Sequence, residues 1–153
     1  MDKLTDFLSQ MHLGTLEESP LYELARGSTD LLPSGSVTHG PWPADSCAAV
    51  LRVWHAADWL ELYYRDLPPT WKITQEEWRL RLAEDGTLAR GDAQELLAHP
   101  DRWVSERADG HVNLCQSGIG RTHPWEDWYA LAIETASRLP IAPARDSPRA
   151  IDQ

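Results

Sequence analysis

Cys115, Arg121 and Thr122 are the residues whose types and spacing most directly suggest chemistry. They frame the segment Cys115-Gln-Ser-Gly-Ile-Gly-Arg121-Thr122. Successive backbone N–H groups of a Gly-rich turn form an anion nest, and the N-terminus of a following helix adds positive potential. An arginine in that field grips two oxyanion oxygens, and the same field lowers a thiol pKa so that the thiolate becomes a nucleophile.

The segment fits the pattern C-x5-R-[ST] and resembles the phosphate loop of the Cys-based phosphatases, the protein tyrosine and dual-specificity family. The resemblance covers the eight residues from Cys115 to Thr122. It implies Cys115 as nucleophile, Arg121 as the phosphate clamp, Thr122 stabilising the leaving thiolate, and a phosphocysteine intermediate hydrolysed by water. The family usually has His before the Cys, where this chain has Leu114. It also uses an Asp general acid in Trp-Pro-Asp, for which the nearest text is Trp42-Pro43-Ala44-Asp45, 70 residues upstream of Cys115. A phosphatase loop follows a parallel strand buried on both faces, which reads as a continuous apolar run. His111-Val-Asn-Leu-Cys115 alternates instead, as a half-buried antiparallel strand does. Nor does the chain supply the several βα units of a doubly wound sheet. The favoured reading is a Gly turn joining strand to helix, with no catalytic residues.

Other chemistries have less to stand on. Six His and two Cys show no CxxC, HExxH or paired ligand spacing, so no metal is expected. Walker, complete GxGxxG and Gly-x-Ser-x-Gly patterns are missing, and no cofactor is expected. His55, inside an apolar segment, reads as a satisfied core histidine.

Fourteen Lys+Arg against 24 Asp+Glu leave a net charge of −10, and no stretch of the chain is basic. Nucleic-acid affinity comes mostly from cations neutralising phosphates, so the composition argues against that partner and against an anionic membrane surface. No apolar run approaches the roughly 18 residues that would span a bilayer. The N-terminal MDKLTDFLSQMH is amphipathic and acidic, not leader-like; with two widely separated cysteines it predicts a cytoplasmic protein with reduced thiols. The expected partner is another protein, with a basic one the natural complement. Eight tryptophans are the remaining oddity. Trp54 and Trp128 read as core, while Trp42, Trp71, Trp103 and Trp125 lie at element ends or in loops and are candidate binding anchors.

These residues must be positioned by a mainly α fold with a small antiparallel hairpin, in a length that suits one domain of 153 residues. Residues 1–45 read as short N-terminal helices followed by a Pro/Gly/Ser loop over 28–45. Residues 46–140 read as the core, and 141–153 as a loose tail. Within the core the longest helix is predicted from Ser46 to about Asp66, apolar on most faces and therefore central. Thr74-Gln-Glu-Glu77 is a capping box opening a second helix, and Asp92 caps a third, ending at His99. Asp109-Gly110 predicts a hairpin between 103–107 and 111–115, with Val104 opposite Leu114. Pro124 opens a last helix closed before Pro140. Helices followed by a hairpin over 46–116 is the order of a winged helix. Asp92–His99 would then sit where a DNA reader places its recognition helix, but it offers Asp92, Gln94 and Glu95 without Lys or Arg. The sequence thus favours a non-catalytic, acidic, protein-binding regulator of the inhibitor, immunity or antagonist type. A Cys-dependent phosphatase is the first alternative and a winged-helix DNA-binding regulator the second.

Overall fold

Phe7, Leu8 and Met11 recur at helical spacing and lie fully inside α1 (Lys3–Leu16) of the computed structural model, which describes residues 2–64 and 86–142. Asp2 caps that helix, its carboxylate accepting the Thr5 N–H at 2.8 Å. A short α2 (Leu21–Leu24) follows, then β1 (Ser28–Leu32) and β2 (Gly35–His39), an antiparallel pair with Leu32 opposite Gly35. Next come α3 (Ala44–Ala56) and β3 (Leu60–Tyr63). After the undescribed stretch stand α4 (Arg90–Ala98), β4 (Asn113–Gln116) and α5 (Trp125–Ala136). The molecule is therefore mixed α+β, with two small two-stranded antiparallel sheets among the described residues.

The second sheet lies in the core. β3 pairs with β4, Leu62 opposite Leu114 and Glu61 opposite Cys115, and Leu60, Leu62 and Leu114 are fully buried. On the far edge of β3, Leu88 N–H donates to the Leu62 carbonyl at 2.8 Å. Beyond β4 the chain before α2 continues the ladder, Leu114 N–H donating to Ser19 O at 3.0 Å. Helix α3 is the centre of the packing, with α1, α4 and α5 against it. Trp54 of α3 meets Trp128 of α5 edge-on at 5.1 Å, and its indole N–H donates to the Trp128 carbonyl at 3.0 Å. His12 of α1 closes the group, 5.1 Å from both Trp125 and Trp128. Trp54 and Trp128 are core residues, as their spacing predicts.

Three expectations need correction. The helix predicted over 46–66 stops at Ala56, because the chain reverses through Asp58 at φ 66° and re-enters the core as β3. Leu60-Glu-Leu-Tyr63 alternates with period two, and an apolar-rich helical segment running into it hides the change of period. The loop expected over 28–45 holds the β1–β2 hairpin and the start of α3. The hairpin expected over 103–115 is not formed. Residues 108–111 make a 3-10 turn, Arg107 N–H bonds back to Val104 O at 3.1 Å, and Leu114 pairs with Leu62 rather than Val104. Trp103 is buried and Val104 37% exposed, so that segment offers no continuous apolar face, whereas Leu60 and Leu62 share one. The winged-helix arrangement expected over 46–116 accordingly lacks its wing. The helix opened by the capping box at Thr74, and Trp71, lie outside the described residues, as do residues 143–153.

Candidate functional site

The turn from Cys115 to Thr122 is held by its own backbone and by the carbonyls of Asp58 and Trp59. Ser117 N–H donates to the Trp59 carbonyl at 2.9 Å, and its hydroxyl donates to Asp58 O at 2.6 Å while accepting the Gly120 N–H at 2.9 Å. The N–H groups of Arg121, Thr122 and His123 go to the carbonyls of Ser117, Ile119 and Gly120. A Cβ on Gly120 would overlap the Trp59 carbonyl and approach the Trp128 ring to 2.9 Å. Glycine is needed there so that strand, turn and helix can meet. An anion nest needs amides that point outward together, whereas the amide of 117 is taken by Trp59 and those of 120–123 by acceptors inside the turn. Cys115 is half-buried on β4 opposite a carboxylate residue, Glu61, and Arg121 and Thr122 are exposed. The other thiol, Cys47, is buried in α3, which pushes its pKa up to about 12.

The four candidate anchors are placed differently. Trp42 is buried against Phe7 at 5.3 Å, and Trp103 is buried with its indole N–H donating to Leu96 O at 2.9 Å. Trp125 is half-buried between His12 and Tyr129. Trp71 lies outside the described residues. Exposed apolar area is aliphatic instead, and much of it is on the hairpin.

Every residue of β1 and every residue of β2 before His39 is exposed. At the tip Leu31 is 86% exposed, Leu32 48% and Val37 43%. The stem is fixed. His39 is held between two carboxylates, with Nδ1 2.7 Å from Asp6 of α1 and Nε2 3.0 Å from Asp30 of β1. The hydrogen bond to Asp30, and after it the one to Asp6, raises the His39 pKa. An imidazolium donates from both nitrogens at once. Beneath the stem, Gly27 has φ 76°, and a Cβ there would overlap the His39 carbonyl and lie 3.0 Å from the Gly40 Cα. Between α1, α2 and the hairpin runs a groove of about 240 Å³ whose charged lining among the described residues is Glu17, Glu23 and Asp30, with no Lys or Arg among them. Leu13, exposed near the end of α1, lines it as well.

Sequence reasoning missed this arm. Its available signal is the pair of β-branched positions Thr29 and Thr38, whose hydroxyls meet across the strands at 3.3 Å, on either side of Pro33-Ser34. It also missed that His55, buried as expected, has no hydrogen-bond partner among the described residues. No group of three or more His, Cys, Asp or Glu among the described residues is placed to hold a metal ion. No helix among them is long and apolar enough to cross a membrane. Comparison with known protein families, with curated proteins and with solved structures finds no match to this chain.

Proposed function

We propose that this chain acts by binding another protein, with the β1–β2 hairpin as its contact arm and a basic segment of the partner lying along the neighbouring acidic groove. The observation that carries this reading is the solvent-exposed hairpin whose tip presents Leu31, Leu32 and Val37. An isolated two-stranded hairpin is marginal in water, and exposed strand edges with apolar side chains are ready templates for another chain. Hairpin edges give a partner backbone hydrogen bonds, and the apolar tip gives it anchor contacts. Glu17, Glu23 and Asp30, within a chain of net charge −10, favour a cationic complement and steer its approach. An acidic inhibitor, immunity protein or antagonist works in this way.

The alternative readings receive less support. Phosphatase chemistry through Cys115, Arg121 and Thr122 requires outward amides, whereas those of Ser117, Gly120 and Arg121 are already bonded to protein oxygens. A DNA reader would need cations on α4. That helix carries Asp92, Gln94 and Glu95, and its single cation, Arg90, is ion-paired to Asp58.

Photo-crosslinking from position 31 in the full chain, at physiological salt in native lysate, tests the proposal. A discrete basic protein should be captured, capture should fall as salt is raised, and Leu31→Asp combined with Val37→Asp should abolish it. Absence of any discrete product from a folded protein overturns the reading. Hydrolysis of an aryl phosphate that is blocked by vanadate and lost in Cys115→Ser would replace it with the phosphatase.

A further inference from the structure

A second concavity, independent of the hairpin, lies where the end of α3, the edge of β3, the start of α4 and the turn after β4 converge. It is a cleft of about 580 Å³, within the range of small-molecule sites. Leu60, Leu62, Leu88 and Ile119 contribute to its wall. Ile119 is 55% exposed at this position, although the turn that carries it is otherwise well tied to the core.

The polar groups of the cleft are unequally satisfied. Arg90 is its only cation among the described residues, and that guanidinium is already paired with the Asp58 carboxylate and reaches the Ala56 carbonyl at 3.3 Å. The remaining carboxylate, Glu61, forms no ion pair or side-chain hydrogen bond with any described residue. His55 is only 7% exposed and also without a hydrogen-bond partner among the described residues, yet its ring lines the cleft. The same ring borders a smaller depression near Arg52 and Gln94. Its ring nitrogens are not among the fully enclosed atoms that lack a partner, so a ligand in the cleft can reach them. Burial, and after it the field of Arg90, pushes the His55 pKa down, which keeps the imidazole neutral and able to accept a hydrogen bond.

We infer that this cleft binds a small organic amine, its apolar body against Leu88 and Ile119 and its ammonium directed to the His55 imidazole and the Glu61 carboxylate. Among the described residues Asp58 and Arg90 pair with each other, which leaves the Glu61 carboxylate to meet a cation. A carboxylate ligand of the same size would meet Glu61 as a like charge and would have to displace Asp58 from Arg90. Selectivity between an amine and its matched acid therefore reports the arrangement directly.

The experiment is an NMR titration of the full chain with benzylamine, and separately with benzoate, following the His55 ring resonances. Benzylamine should shift them saturably and benzoate should not. Glu61→Gln should weaken benzylamine binding, and His55→Phe should weaken it about tenfold, the equivalent of one lost buried hydrogen bond. Near-UV circular dichroism establishes that each variant is folded. If His55→Phe is not folded, the half-buried Glu61→Gln carries the test alone. No saturable shift with benzylamine, equal or tighter binding of benzoate, or unchanged binding in folded Glu61→Gln overturns the inference.

Discussion

The molecule contains two antiparallel ribbons of nearly equal size with opposite roles. In β3–β4 one face carries Leu60, Leu62, Leu114 and Gln116, all buried, and the ribbon is continued on both edges by neighbouring chain. In β1–β2 the pairs Leu31 with Ser36 and Asp30 with Val37 put apolar and polar residues on both faces, and nearly all are exposed. Antiparallel pairing is thus common to both, and the distribution of apolar side chains over the two faces decides which ribbon becomes core. A strand pair with one consistent apolar face is absorbed by helices. One without it remains outside unless something else covers it.

The sharpest way to break this contrast is to truncate a side chain in the inner ribbon. Leu114→Ala should cost about 2–5 kcal/mol in urea-induced unfolding, because Leu114 is fully enclosed and the cavity cannot collapse freely. A loss under 1 kcal/mol would mean that β4 is not held as described. The pH dependence of stability separates the ribbons by sign. His12, packed behind β4 with Gln116 3.3 Å away, has its pKa lowered by burial. The unfolded chain then binds a proton that the folded one refuses, so stability should fall as pH drops through the ordinary histidine value of 6.5. His39 at the stem of the outer ribbon is the reverse. Its folded pKa is raised, so its contribution is complete below 6.5 and is lost as pH rises through the raised value. The difference in Tm between the parent and His39→Gln should therefore shrink as pH increases, while the difference for His12→Gln should not follow that course. The smallest effect belongs to the tip. Leu31→Ser should change stability by less than about 0.5 kcal/mol, as surface replacements do, while lowering partner capture. A large loss of stability there would show that the arm is packed rather than free.

Much of the helical framework was legible in the sequence. The apolar repeat of α1, the cap at Asp2, the burial of Trp54 and Trp128 and the last helix after Pro124 follow from local spacing and capping. The strand at 113–116 was legible as well, from alternation alone. Its partner was not, since pairing across 50 residues between Tyr63 and Asn113 leaves no local mark, whereas Asp109-Gly110 leaves a strong one. The outer hairpin was illegible for a related reason. Its two-residue connection, Pro33-Ser34, lacks the Gly or Asn that signals a tight turn, and its strands lack one consistent apolar face. At the candidate sites, Cys115, Arg121 and Thr122 were conspicuous by spacing, yet the hydrogen bonds that close their turn depend on Asp58 and Trp59, far away in the chain. His55 was correctly placed inside. That its ring would border a cleft, with no hydrogen-bond partner among the described residues, depends on α4 and β3, and no helical pattern encodes that.

The crowding at Gly27 bears on how this protein can diversify. Any side chain at that position must displace the carbonyl of His39, so the root of the arm is guarded by folding itself. Leu31 at the tip is almost fully exposed, so a replacement there disturbs little of the packing. Recognition can therefore drift at the tip while the direction in which the tip is presented is inherited unchanged.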